Sequence, residues 1–499
     1  MPLPLHRALA RRHAPERFDP ERRRFLIASG AAGIAASMSG FLGACASRQP
    51  RAGSPRVVVI GAGFAGLACA SDLSSRGFAV TVLEARPRVG GRVSSVRDGV
   101  SGKNLEAGAE LIGSNHPHWQ ALARHFRLEL LPVPEDDGLE APIVLEGRRL
   151  ARAESEALWN EMKEANARMN DLARRVDADR PWLSPDAAAL DAQSLGSWID
   201  DTVASPTLRR ALHTEHTANN GVSTWRQSLL AMLAPVKAGG LDDYWDHSED
   251  WRCAGGNQRL ATALAETLPS PSLHLSTPVD SIEHDERGVR VRTASGDVHE
   301  ADWAVLAVPP STWDRVRVSP PLASDLAPQM GVSVKYVASV RRRFWLDQGL
   351  SQYALTDGAV ALSWDPTSGQ DVDANNRPDE SAALTAFTSA EAAERVRALA
   401  GTARRDEYTR AFEALFPGFS AHQGTTRFQD WPSEEWTRAG YAIPAPGEVT
   451  RVSPRLREGC GRLQFAGEHA SPGFVGYMEG ALQSGFAVAE RIASSSGMT

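Results

Sequence analysis

The sequence predicts an α/β fold, and three observations predict it. Arg56–Ile60 is a short β-branched run, the pattern of a buried parallel strand. Gly61-Ala62-Gly63-Phe64-Ala65-Gly66 follows at once and opens a helical pattern to about Arg76, with Leu67, Ala68, Ala70 and Leu73 apolar. Ala79–Leu83 then reads as a second strand, ending at an acid, Glu84. Together these are the start of a Rossmann-type dinucleotide-binding sheet. At 499 residues the chain exceeds one simple core, so a second domain or large insertions are expected.

Each element has a physical reason. Gly61 permits the tight turn out of the first strand, Gly63 lets the backbone approach a pyrophosphate, and Gly66 lets the helix pack on the sheet. The helix begins at Phe64 and Ala65, whose N-terminal amides and dipole suit phosphate, and Gly77 ends it. Glu84 stands where it can accept hydrogen bonds from a ribose diol. A net charge of −7, from 54 Lys+Arg against 61 Asp+Glu, excludes a general nucleic-acid binder, since no basic excess is present to replace phosphate counterions. Four cysteines in a chain of this length make no disulfide framework, and none forms a CxxC pair, so a structural zinc site is not expected. His116, His216 and His247 are too scattered to read as metal ligands.

A leader precedes the sheet. Arg22-Arg23-Arg24-Phe25-Leu26 fits the twin-arginine pattern, and an uncharged run rich in small residues follows to about Leu42. Leu42-Gly43-Ala44-Cys45 resembles a bacterial lipobox, which would make Cys45 a lipid anchor. Residues 1–45 are thus expected to be a leader and 46–55 a linker. The expected destination is the periplasm or the outer face of the cytoplasmic membrane, with membrane contact only through the signal or lipid. The twin-arginine route carries folded proteins, which suits an enzyme that binds its cofactor before export.

Arg86-Pro87-Arg88-Val89-Gly90-Gly91-Arg92 decides between dinucleotides. Gly90 and Gly91 permit close approach of the backbone, and Arg86 and Arg92 can meet a pyrophosphate. This Arg-x-Gly-Gly-Arg tail resembles the flavin-containing amine oxidase family, which includes monoamine oxidases, polyamine oxidases and L-amino acid oxidases. The resemblance implies FAD. It continues through Leu105–Gly113, Gly255–Leu260, Ser276–Ile282, Ala301–Pro309, Phe465–Ala470 and Gly476–Ala481. It implies that Ala85 and Gly467 bind the cofactor, that Gly108, Ala109 and Glu110 lie along the flavin, Val279 by the adenine, Glu468 by the pyrophosphate or ribityl chain, and the Met478 backbone at the flavin O2 edge. It also implies a discontinuous architecture. The FAD-binding domain would comprise about 55–118, 250–312 and 438–494, and an α+β substrate domain about 119–249 and 313–437. Glu154–Leu172 has helical spacing and reads as an amphipathic covering helix.

The same resemblance nominates the reacting groups. Lys335 sits in the apolar strand-like run Gly331–Val340. A charge in such a run normally faces water, whereas the family's lysine at this place holds a water against flavin N5. Trp431 and Tyr441 have the spacing of the monoamine oxidases, and Tyr441 and Tyr477 would form the two walls of an aromatic cage for an amine. Gly440 replaces the flavin-linking cysteine of monoamine oxidases, so the FAD is expected to be non-covalent. Glu110 stands where monoamine oxidases carry an aromatic residue and animal L-amino acid oxidases carry a carboxylate-clamping arginine. Glu110 would repel a carboxylate, so it is expected to receive a second cationic group or polar head of the substrate. Arg226 or Arg252 remain alternative carboxylate clamps.

The expected reaction is oxidative deamination of an amine: hydride to flavin N5, then hydrolysis of the imine. Electrons pass to O2 or to a partner such as a periplasmic cytochrome or membrane quinone. One alternative is an L-amino acid oxidase, with basic amino acids suiting Glu110. Another is a catalytically idle FAD-bearing lipoprotein that serves as a binding module. A homodimer is compatible with either.

Overall fold

The computed structural model describes residues 9, 12, 51 and 53–498, apart from 135, 137 and 371–378. The twin-arginine pattern, the apolar run after it and Cys45 lie outside the described residues.

β1 (Arg56–Ile60), α1 (Phe64–Ser75) and β2 (Ala79–Leu83) form where the spacing places them. β1 sits third in a five-stranded parallel sheet, in the order Leu463–Phe465, Trp303–Leu306, β1, β2 and Leu273–His274. Val57 lies opposite both Trp303 and Val80. The strands come from widely separated stretches of chain, because a parallel neighbour needs a crossover connection. α1 is buried along almost its whole length rather than on one stripe. It is covered by the final helix, Met478–Ser495, and Gly485 lets the two backbones meet, since a Cβ there would lie 2.3 Å from Ala65 O.

A second sheet of four strands, Val298–Ala301, Val289–Thr293, Val279–His284 and Arg317–Ser319, packs on the face of the parallel sheet that carries Val58 and Ile60. A third sheet has seven strands, with Ser333–Val340 antiparallel to both Ala382–Ser389 and Gln423–Asp430. Seven of the eight residues of Ser333–Val340 are buried, and all eight of Ala382–Ser389 are. These strands therefore read as continuous apolar and small-residue runs instead of alternating ones. The helix expected near Glu154–Leu172 spans Arg152–Ala173 and buries Leu158, Trp159, Met162, Ala165 and Met169 against other helices. That helical layer reaches the seven-stranded sheet at Trp364 and Phe387.

Candidate active site

The turn from β1 into α1 is built for close approach. Gly61 has φ +105°, and a Cβ there would meet Ala307 O at 2.9 Å. A Cβ on Gly66 would lie 2.0 Å from Gly61 O, so only glycine lets α1 start this near β1. Gly63 differs, since a Cβ there would meet nothing within 4 Å. It faces the open cavity. Gly63 caps α1 without a side-chain hydrogen bond, and no acid stands in the first turn. The helix N-terminus, with Phe64 and Ala65 on the cavity wall, is thus left to an anion from outside the chain.

The rest of one long cavity continues the cradle. Glu84 is buried, and its carboxylate accepts from Ala62 N (2.7 Å) and Arg86 N (2.8 Å), which fixes it at the end of β2. Ala85, Arg86, Val279, Gly91, Arg92, Gly467, Glu468 and Met478 all line the same cavity. Gly90 N donates to Ala62 O at 2.8 Å, which lays the Arg86–Arg92 segment against the Gly63 turn. Arg92 pairs with Glu468 at 2.7 Å and donates to Gly440 O, while Arg86 donates to Thr437 Oγ1 at 2.7 Å. Glu468 also accepts from Gly476 N at 2.9 Å. An uncapped helix N-terminus, an oriented acid at β2, two arginines and room along the whole length fit FAD.

At the other end, the extended segment from Glu106 to Glu110 is held by three side chains. Lys335 Nζ donates to Glu106 O (3.0 Å) and Gly108 O (2.9 Å), Trp431 Nε1 to Ala107 O (2.9 Å), and Asn257 Nδ2 to Ala109 O (3.2 Å) and Glu110 O (2.7 Å). All five carbonyls of the segment are therefore caught by distant parts of the chain. A Cβ on Gly108 would lie 1.8 Å from Arg92 O, so glycine is required there too. Lys335 does not follow the rule that a strand charge faces water. It is 4% exposed and lines the cavity. Trp431, expected beside the substrate, lines the cavity as well and holds the Ala107–Gly108 backbone.

Glu110 is where the structure departs most from expectation. Its buried carboxylate pairs with Lys335 at 2.6 Å, with Arg252, and accepts from Trp364 Nε1 at 2.9 Å. Burial acts to raise the Glu110 carboxyl, but the charges of Lys335 and Arg252 outweigh it and hold the group down at about 2. The chain's own cations occupy the place the sequence reading reserved for a substrate cation. Arg252, considered as a carboxylate clamp, is spent on Glu110 and on Asp365 O at 2.9 Å. Arg226 is exposed and does not line the cavity.

Tyr441 and Tyr477 line the same end of the cavity as Lys335, Trp364 and Phe387. Tyr441 donates its hydroxyl to Asn219 O, and Tyr477 donates to Tyr244 Oη at 3.1 Å. His116 packs edge-on to Tyr477 with ring centroids 5.4 Å apart. Burial raises both phenols above their ordinary range and holds His116 down at about 4, so this corner presents neutral rings. Ser248 and Glu249 complete the wall, and the Glu249 charge also raises Tyr477. The sequence offered Arg252 only as an alternative carboxylate clamp, and Trp364, Asn219, Tyr244 and Glu249 carried no signal in it.

Glu106 gives a stability test. Burial pushes its carboxyl up to about 7, against hydrogen bonds from Asn257 N and Ser95 Oγ. The folded value lies above the ordinary 4.5, so its contribution is fully present below 4.5 and is lost as pH rises through 7. Glu106→Gln should therefore gain stability relative to the parent between pH 5 and pH 8, by about 3 kcal/mol at most. Melting curves of both proteins across that window check it, and a constant difference between them would refute it.

Comparison with known proteins agrees with this geometry. The solved structure of cyclohexylamine oxidase from Brevibacterium oxydans is similar, with a TM-score of 0.78, 27% identity, and coverage of 89% of this chain and 100% of that one. Putrescine oxidase bound to putrescine is similar with a TM-score of 0.77 and 26% identity over 88% of this chain and 99% of that one. An L-amino acid dehydrogenase from Synechocystis sp. is 28% identical over 90% of this chain and 96% of its own length. A pyridine nucleotide-disulphide oxidoreductase model matches residues 15–106, over the nucleotide cradle. The flavin containing amine oxidoreductase model matches residues 64–493, and with the cradle and the lysine–tyrosine site in place, the chain belongs to that family of FAD-dependent enzymes.

Proposed function

We propose that this enzyme oxidatively deaminates an amine that carries no carboxylate. The observation that supports this reading is the pairing of every cation on the cavity wall among the described residues. Arg86 pairs with Glu434 at 3.9 Å, Arg92 with Glu468 at 2.7 Å, Arg315 with Glu435 at 2.9 Å, and Lys335 with Glu110 at 2.6 Å. A substrate carboxylate would enter a dry site with no cation available to meet it, at a cost of several kcal/mol. The wall also carries the carboxylate of Glu249, and a cationic guest suits it better than an anionic one.

Bound FAD would supply the hydride acceptor for the amine α-carbon. The chain supplies orientation. The hydroxyls of Tyr441 and Tyr477 are engaged with Asn219 O and Tyr244, which leaves ring faces to hold the amine by its lone pair or, beforehand, as a cation. Tyr477→Phe is then expected to change kcat/KM by less than about 3-fold, and Tyr477→Ala to lower it about 10-fold, the value of one lost cation–π wall. Steady-state kinetics with the best amine check both, and a large loss in Tyr477→Phe would assign the role to the hydroxyl.

Anaerobic bleaching of the yellow protein by a panel of amines and amino acids tests the whole reading. Bleaching by amines supports it. Bleaching by amino acids alone would favour the second reading, to which the Synechocystis relative points. No bleaching by any member would favour an idle binding module. Peroxide release measured beside reduction of an added cytochrome distinguishes O2 from a redox partner as acceptor. Among the described residues, Cys69, Cys253 and Cys460 do not line the cavity, which supports non-covalent FAD. The leader pattern at Arg22–Leu26 supports export after folding.

A further inference from the structure

Lys335 is held at its ammonium end by three acceptors from one distant segment of the chain. A lysine ammonium has three N–H donors. Lys335 places them on Glu106 O at 3.0 Å, Gly108 O at 2.9 Å and Glu110 Oε2 at 2.6 Å. All three acceptors belong to the protein, and the side chain is buried over the Trp364 ring at 5.4 Å. Glu110 in turn has its second oxygen on Arg252 and Trp364 Nε1, and Arg252 is anchored by Asp365 O and Ser368 Oγ. Arg252 does not line the cavity, so it reaches the reacting end only through Glu110.

We propose that Glu110 and Arg252 are positioning residues that fix Lys335 in place, so that Lys335, Glu110 and Arg252 act on the flavin as a cluster of net charge +1. A fixed positive charge at this place favours the flavin's reduced, more negative form, and each member of the cluster changes that preference with a definite sign. Glu106, whose carbonyl accepts from Lys335, is a further ionisable neighbour, and burial pushes its carboxyl up to about 7. The proposal rests on the reading that FAD occupies this cavity.

The test is the reduction potential of bound FAD, measured below the Glu106 midpoint on purified holoenzyme of the parent, Glu110→Gln, Arg252→Gln and Lys335→Met. Glu110→Gln removes the negative charge and should move the potential upward. Arg252→Gln and Lys335→Met each remove a positive charge and should move it downward. Opposite signs for Glu110→Gln and Arg252→Gln are the electrostatic signature that loss of packing alone would not produce. Arg252→Lys should restore the parent value even if its melting temperature is lower, and it covers the case in which Arg252→Gln does not fold. Shifts of the same sign, or no shift in Glu110→Gln, overturn the proposal. A purified protein that holds no flavin would instead overturn the reading of the site, whereas a flavin that amines bleach but whose potential ignores Glu110 and Arg252 would overturn this proposal alone.

Discussion

Lys335→Met slows flavin reduction or reoxidation about 10²–10³-fold, the loss expected when a preorganised charge is taken from a dry reacting site. The size follows from the burial of the cation and from its place on the cavity wall beside Trp364 and the segment from Glu106 to Glu110. The substitution leaves the fold in place. Glu110 keeps Arg252 and Trp364, so no carboxylate is stranded, and the loss falls on the carbonyls of Glu106 and Gly108, about 1 kcal/mol each. Flavin content should therefore stay near that of the parent while the rate collapses. Anaerobic stopped-flow reduction by an amine, followed by mixing with oxygen or an acceptor, reads each half-reaction separately. Near-normal rates in both would remove Lys335 from the mechanism.

Gly66→Ala abolishes flavin loading, and Gly63→Ala shows why the two glycines differ. At Gly66 a Cβ would stand 2.0 Å from Gly61 O, a backbone atom that can move only if α1 leaves β1. Overpacking in a well-packed core costs about 1–3 kcal/mol, and more where backbone must shift. The melting temperature and the flavin-to-protein ratio should fall together, the latter below about one tenth of the parent. At Gly63 a Cβ meets no protein atom within 4 Å, and φ there is −75°, a value any residue adopts. Gly63→Ala should keep its melting temperature without flavin yet bind FAD weakly, because the methyl would occupy space meant for phosphate. A Gly66→Ala protein with full flavin content would contradict the close contact of α1 with β1.

The nucleotide cradle was legible because its signals are local. A strand, a glycine turn, a helix and an acid within about thirty residues each act through the backbone next to them, and period and turn chemistry report that directly. The long helix at Arg152–Ala173 was legible for the same reason, with its apolar positions at helical spacing. The aromatic cage was legible only through the family resemblance, since nothing near Tyr477 in the chain announces Tyr244 as its hydrogen-bond partner.

Glu110 shows where local reading stops. A lone acid in an apolar segment says that a cation must come from somewhere. It does not say whether that cation is the substrate's or the chain's. The answer required Ser333–Val340 and Trp251–Cys253 to be brought to opposite oxygens of one carboxylate, from 225 and 142 residues away. Likewise Lys335, in a run where charges usually face water, is buried because the partner strands close the sheet around it. By itself, then, the sequence determined the α/β start and the glycine turn, whose physics is contained in neighbouring residues, and through the family resemblance it implied the cofactor class. Only the tertiary structure decided the partners and charge of the reacting end, because ion pairing depends on distance in space, and covalent order does not set that distance.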